Sequence, residues 1–263
     1  MRIALGLQYD GAGFAGWQAQ PNGNTLQDVL ESVLRIIAAE PVRVVCAGRT
    51  DAGVHALGQV VHFDTVSSRP DNAWVRGVNS RLPDSMAVQW ATPVDEEFHA
   101  RYSAIERNYC YILQMSPVRP AILAGKVGWI HSPLDVDRMR EAAALLVGHH
   151  DFSAFRSSEC QAKTPLRVLR ELAIERRGHY LIFRFRADAF LHHMVRNIVG
   201  SLVSVGKGKY APDWVGSVLQ SRNRAAAAPT FSPDGLYLAS VSYAQRWSLP
   251  EFQPSLIEVI TRS

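Results

Sequence analysis

Cysteine is scarce in this chain. Its three cysteines, Cys46, Cys110 and Cys160, stand far apart with no Cys-x-x-Cys spacing, which excludes a disulfide framework and a cysteine-ligated zinc site. Long apolar runs are missing too: no stretch approaches the roughly 20 residues that a membrane span needs. The N-terminus enters an alternating pattern at once, without the apolar segment of a secretion leader. A soluble, cytoplasmic protein with reduced thiols is therefore expected. No His-x-Glu accompanies a Cys-x-x-Cys, which argues against a zinc base deaminase. His149-His150 and His192-His193 are adjacent pairs, and neighbours on a helix point about 100° apart, so no metal site is expected.

What the chain does have is core material and a mild basic excess. At 263 residues and 47% hydrophobic, with a net charge of +4, it is long enough for one large domain or two ordinary ones. The excess is uneven. Seven arginines fall between 167 and 196 (167, 170, 176, 177, 184, 186 and 196) against Glu171, Glu175 and Asp188. Such a cluster favours a polyanionic partner, and a solvated, ion-paired strand face explains it equally well.

The hydrophobic periodicity orders the chain into two similar halves, 1–100 and 101–263. A strand over 2–9 alternates Ile3, Leu5, Leu7 and Tyr9 on one face. Thr25 with Asp28 three residues on marks a helix start, followed by Leu26, Val29, Leu30, Val33, Ile36 and Ile37 at helical spacing. Strands over 42–47 and 59–65, a helical stretch over 71–81 and the alternating Met86, Val88 and Trp90 complete the order β-α-β-β-α-β, the ferredoxin-like split βαβ unit. A second copy begins with a strand over 107–113. It continues with a helix over 135–147, a hairpin of strands 167–176 and 180–186 around Gly178-His179, a long helix over 188–205 and a final strand over 236–243. Residues 149–165 and a helix near 212–220 decorate it. The expected class is α+β: two ferredoxin-like halves forming one extended, mostly antiparallel sheet, with helices on one face and a central cleft.

Two glycine-bracketed segments have to be weighed for chemistry. Gly11-Ala12-Gly13-Phe14-Ala15-Gly16 matches G-x-G-x-x-G after a strand. A dinucleotide fingerprint must open directly into a helix, and here residues 18–24 intervene. Trp17 and Gln18, just beyond, either line a substrate path or pack on the sheet. The second segment, Gly48-Arg49-Thr50-Asp51-Ala52-Gly53-Val54-His55, lies between two strand-like runs, and loops held by rigid elements are where catalytic residues concentrate. Asp beside Gly is also common in plain turns. From the residues alone, catalyst and turn residue stand level for Asp51. Arg196, on the last long helix, is by spacing a surface residue, or else one that reaches a carboxylate of the first half.

Read onward as GRTDAGVHALGQVVHF, the second segment closely resembles the catalytic signature of the tRNA pseudouridine synthases, specifically the A family (TruA family) that modifies the anticodon arm. The resemblance extends to ALGLQYDGAGFAGWQAQ, FHARYSAIERNYCYI, HDFSAFRSSE, DAFLHHMVRNIVGSLVSVG and GLYLASVSY, in family order over nearly the whole chain. It implies isomerisation of uridine to pseudouridine at nucleotides 38 to 40 of tRNA. Asp51 would be the essential carboxylate and Tyr109 the aromatic that stacks on the target uracil. Arg196 would be the arginine paired with the Asp, Leu236 the apolar residue near the base, and Arg49 the residue that enters the RNA stack. It also implies a homodimer with one tRNA touching both subunits, and no cofactor. The chemistry agrees, because substrate and product are isomers and no redox or energy source is needed. An aspartate, ionised above an ordinary pKa of about 3.9, serves either as nucleophile at C1′ or as base at C2′. The reading from another class is a non-catalytic RNA-binding module of the split βαβ type.

Overall fold

The computed structural model describes residues 1–21, 23–70 and 72–250. The chain is α+β, with ten strands among the described residues. It divides into two compact units, Met1–Ile105 together with the return from Tyr237, and Glu106–Leu236.

In the first unit, β1 (Arg2–Tyr9), β3 (His55–Asp64) and β4 (Met86–Val94) form an antiparallel set in the order β4-β1-β3. The short β2 (Val45–Cys46) pairs with β3, and β10 (Leu236–Tyr243) pairs with β3 in parallel through Tyr237↔His55 and Leu238↔Ala56. Helix α1 (Leu26–Ala38) starts as its sequence predicts. The Thr25 hydroxyl oxygen accepts from the Asp28 amide and donates to the Asp28 carboxylate, satisfying orphan groups at the helix start. The buried stripe differs in detail: Leu34 is fully buried, whereas Ile36 is 53% exposed. The helical stretch expected over 71–81 is present over 72–79, with a π-helical centre, Ala73–Gly77; Asp71 lies outside the described residues. Strand β3 begins four residues earlier than its alternation indicates, because His55–Leu57 are buried on both faces and give no alternating signal.

The two sheet faces have different covers. Ile3, Leu5 and Leu7 pair in register with Phe63, Val61 and Gln59, and Phe63 meets Trp74 of the π-helical turn at 5.3 Å. Ala4 and Gly6 pair with His62 and Val60 on the opposite face, where Phe98, Trp90, Tyr243 and Trp247 pack. Gly6 is required here, since a Cβ would lie 2.1 Å from the Trp90 indole.

The second unit comprises β5 (Ala104–Met115), β6 (Gly128–Ile130), α2 (Val136–Ala144), β7 (Gly148–Asp151), β8 (Leu166–Arg177), β9 (Tyr180–Ala187), α3 (Met194–Gly206) and α4 (Asp213–Ser221). Its strands run β5-β9-β8-β7, antiparallel throughout, with β6 added in parallel to β5. Helix α3 is the centre of this core: eleven of its thirteen residues are buried, and only Arg196 and Ser204 are not. It starts six residues later than its apolar spacing suggests. The Asp188 carboxylate accepts from the amides of Val168 and Ala189, holding the chain against β8. His193 then enters the helix at φ +63°. A side chain that caps a neighbouring strand leaves no trace in hydrophobic spacing.

Burial gives the first unit a pH dependence. The His62 side chain, 4% exposed, accepts from the Ala100 amide at 3.1 Å through Nδ1. Desolvation, with Arg2 and His99 adding to it, pulls its pKa from 6.5 down to about 4. The folded state thus disfavours the charged ring, so stability is complete above about pH 6.5 and declines as the pH falls toward 4, where the unfolded chain binds a proton and the folded one does not. In His62→Asn, whose amide oxygen can accept the same bond, urea denaturation between pH 7 and 4 is expected to show a visibly flatter decline.

Candidate active site

The loop over 47–54 joins β2 to β3 and is tied down through its backbone and one buried hydroxyl. Gln59, fully buried on β3, donates from Nε2 to the Gly48 carbonyl at 2.6 Å. The Thr50 hydroxyl lies 2.8 Å from the Tyr9 hydroxyl, and the Thr50 carbonyl accepts from the Trp17 amide at 3.0 Å. The Val54 amide donates to the Asp51 carbonyl at 3.1 Å, closing a turn in which Gly53 takes φ +79°. Between these anchors Arg49 is exposed and Asp51 half-buried. The loop therefore presents two opposite charges two residues apart on a fixed backbone, the arrangement that preorganised chemistry requires.

The glycine-rich segment 11–16 supplies the other wall of this support. Gly16 sits at φ +93°, and a Cβ there would lie 3.0 Å from the Thr50 carbonyl oxygen and 3.1 Å from the Ala52 nitrogen. A Cβ on Gly11 would lie 2.0 Å from the Val54 carbonyl oxygen. The glycines thus serve a backbone-to-backbone approach, which accounts for a G-x-G-x-x-G that opens into no helix. Trp17 is 1% exposed and packs against Tyr9 at 5.9 Å, so it is a core residue. His55 turns inward as well: it is 2% exposed and stacks on Tyr237 at 4.7 Å. Its Nδ1 lies 3.1 Å from the Gly11 amide and 3.0 Å from an Asp10 carboxylate oxygen, accepting from the first when bare and donating to the second when protonated. Tyr9 and Gln59 are supporting residues that sequence reading did not mark, and the two glycines, marked there as part of a motif, support the loop by close approach. A cavity of about 480 Å³ on the Ala4–Gly6 face is lined by Gln59, Trp90, Ser240 and Tyr243 among others, and neither Arg49 nor Asp51 lines it.

The remaining site candidates belong to the second unit. Tyr109 lies on β5, half-buried, with its ring edge-to-face against Phe190 at 5.0 Å. Leu236 opens β10 and is 4% exposed. Arg196 is half-buried on α3, not the surface residue that spacing suggests, and its Nε donates to the Phe231 carbonyl at 2.9 Å while the Phe231 amide donates to the Arg196 carbonyl. That loop is in turn held by Asn197, fully buried. Its Oδ1 accepts from Thr230 at 2.7 Å and Arg224 at 3.1 Å, and its Nδ2 donates to the Phe155 carbonyl at 2.8 Å. Asn197 is a further residue that sequence alone did not mark. His192 and His193 precede the helix, so helical geometry does not set them apart; their ring centroids are 4.0 Å from each other.

The arginine cluster resolves into pairs. Arg177 and Arg184 reach Glu175 at 2.6 and 2.8 Å, Arg186 reaches Glu171 at 3.1 Å, and Arg170 reaches Glu106 at 3.2 Å. Glu175 has its pKa lowered, first by the Arg177 hydrogen bond. Arg167 and Arg176 donate to backbone carbonyls. This strand face is an ion-pair ladder, and exposed pairs of this kind are worth about 1 kcal/mol or less.

The family model described as tRNA pseudouridine synthase matches residues 7–103 and 142–244, a span that includes Asp51, Arg196 and Leu236 and omits Tyr109. The chain is 59% identical over 253 residues to the tRNA pseudouridine synthase A of Burkholderia ambifaria, covering 96% of this chain and 94% of that protein. It is 60% identical over 249 residues to that of Paraburkholderia phymatum (95% and 93%) and 61% identical over 253 residues to that of Burkholderia multivorans (96% and 94%). A chain in the crystal structure of a Cbf5-Nop10-Gar1 complex is 11% identical with a TM-score of 0.39; the match covers 90% of this chain and 48% of that one.

The loop's dependence on Gly16 has a measurable consequence. Gly16→Ala adds left-handed strain of about 1–3 kcal/mol and a contact with residues 50–52, so its melting temperature is expected to drop by about 5 °C. Gly13→Ala, where a Cβ meets nothing within 4 Å, should melt with the parent protein.

Proposed function

The chain belongs to the tRNA pseudouridine synthase family, and on that premise we propose which side chains carry its reaction. It isomerises uridine in tRNA to pseudouridine. The N1 glycosidic bond breaks, the uracil turns, a bond forms from C1′ to C5, and the proton lost from C5 is matched by one taken up at N1, so that the product is an isomer of the substrate. Asp51 is the catalytic carboxylate, acting at C1′ as nucleophile or at C2′ as base. Tyr109 is the ring on which the uracil stacks, an interaction worth about 1–3 kcal/mol, and Leu236 is the apolar residue near the base. Arg196 is the arginine that keeps the carboxylate ionised. Arg49 enters the RNA stack as the uridine leaves it. The targets are uridines 38 to 40 of the anticodon arm, and the enzyme works without a cofactor, as a homodimer in the cytoplasm, with one tRNA touching both subunits.

The observation that carries this reading is the Asp51 loop itself, a half-buried carboxylate on a backbone anchored to Tyr9, Trp17 and Gln59. A purely RNA-binding module is disfavoured by the same feature, because a rigidly held carboxylate next to a polyanion weakens binding. With purified protein and unmodified tRNA, Asp51→Ala is expected to cut pseudouridine formation by about a thousand-fold or more while tRNA affinity stays within a few-fold of the parent; turnover at parental rate would refute the assignment. Tyr109→Phe should keep tRNA affinity, since the stacking face is retained, and a ten-fold loss of affinity would remove Tyr109 from the stacking role.

A further inference from the structure

The face of the first unit that carries Ala4 and His62 bears a chain of aromatic rings leading outward to solvent. His62 touches both Phe98, at 6.0 Å, and His99, at 4.9 Å. His99 carries Tyr102, stacked at 4.3 Å and 29°. Tyr102 is 77% exposed; the other exposed large aromatic among the described residues, Trp129, is 38% exposed. Exposure alone is common for single side chains, but this ring stands on a rigid base. His99 Nδ1 accepts from the amides of both Arg101 and Tyr102, and the His99 amide donates to the Ser103 hydroxyl at 3.0 Å. Burial is the first cause that lowers the His99 pKa, with Arg2 and Arg101 adding to it, so the ring under Tyr102 is held neutral. The exposed Arg101 guanidinium stands 5.7 Å from the Tyr102 centroid.

We propose that Tyr102, seated on His99 and flanked by Arg101, is a second base-stacking platform for an unpaired nucleotide of the tRNA substrate, separate from the ring that receives the target uracil. The proposal rests on the family reading that tRNA is the substrate. A flat, preoriented ring costs little side-chain entropy on binding and accepts any base, and the neighbouring guanidinium suits the flanking phosphate. The acidic turn Asp95–Glu97 just before it opposes a dense run of phosphates, which favours a stacked base as the main contact.

Full-length Tyr102→Ala, Tyr102→Phe and Arg101→Gln, each also carrying Asp51→Ala to prevent turnover, are to be titrated with unmodified tRNA by filter binding at low and high salt, alongside the Asp51→Ala protein. Sedimentation of each protein gives its oligomeric state. Expected are a loss of about 5- to 100-fold for Tyr102→Ala that is the same at both salt concentrations, an affinity within two-fold for Tyr102→Phe, and a salt slope reduced by about one for Arg101→Gln. A Tyr102→Ala affinity within two-fold of its parent overturns the platform. So does a Tyr102→Ala protein that changes oligomeric state, which would make a second copy of the chain the occupant of this face. A parent that binds no tRNA overturns the family reading and the platform together, whereas parental binding with an indifferent Tyr102→Ala overturns the platform alone.

Discussion

The backbone of residues 11–16 lies against the backbone of residues 50–54, and the geometry of the first unit's 47–54 loop depends on that approach. Two glycines make it possible, one because any Cβ would collide with the Val54 carbonyl, the other because it also needs a left-handed φ. Around the contact, Gln59 and Trp17 bond the Gly48 and Thr50 carbonyls, and the Tyr9 hydroxyl meets the hydroxyl of Thr50. The loop backbone is therefore anchored at several points, and from it Arg49 extends exposed and Asp51 half-buried. Irregular backbone held this firmly meets the demand of preorganised catalysis, which loses rate when a reacting group wanders by about an ångström.

In the second unit one buried amide plays the comparable part. Asn197 sits fully inside α3 and uses both ends of its side chain, accepting from Thr230 and Arg224 and donating to Phe155. A buried amide with unmet bonds would cost on the order of 1–3 kcal/mol; satisfied, it locks two separate stretches of chain, at Phe155 and at 224–231, to the helix. The segment 224–231 is one of them, and its Phe231 carbonyl in turn orients the Arg196 guanidinium. The position of Arg196 thus follows from the helix interior, not from its own surface environment.

Charge is arranged more locally than a net +4 suggests. Along β8 and β9, arginines alternate with Glu171 and Glu175 across the register, and Arg186 stands opposite Glu171. Such a ladder costs little to open, so it can exchange partners with phosphate, but it is not a standing cationic patch. The ion-paired ladder and the two arginine-capped rings, Arg101 over Tyr102 and Arg246 over Trp247, suit recognition that mixes stacking with a few phosphate contacts better than recognition by charge alone.

Read without a structure, the alternation of Ile3, Leu5 and Leu7, the Thr25 cap and the hairpin about Gly178 were enough to establish the α+β class and most element positions, because period and capping are local properties of the chain. The run GRTDAGVHALGQVVHF and its companions were enough to indicate the family. Three kinds of feature were decided only by tertiary structure. The start of α3 depends on Asp188 capping another strand; the purpose of Gly11 and Gly16 depends on the backbone they approach; the state of the arginines depends on which glutamates lie opposite in register. The first two join stretches far apart in the chain, the last depends on side-chain reach even between Arg177 and Glu175 on one strand, and hydrophobic spacing contains no information about either. Sequence determined which elements form and what chemistry they point to, and packing decided which side chains are held still enough, or left exposed enough, to perform it.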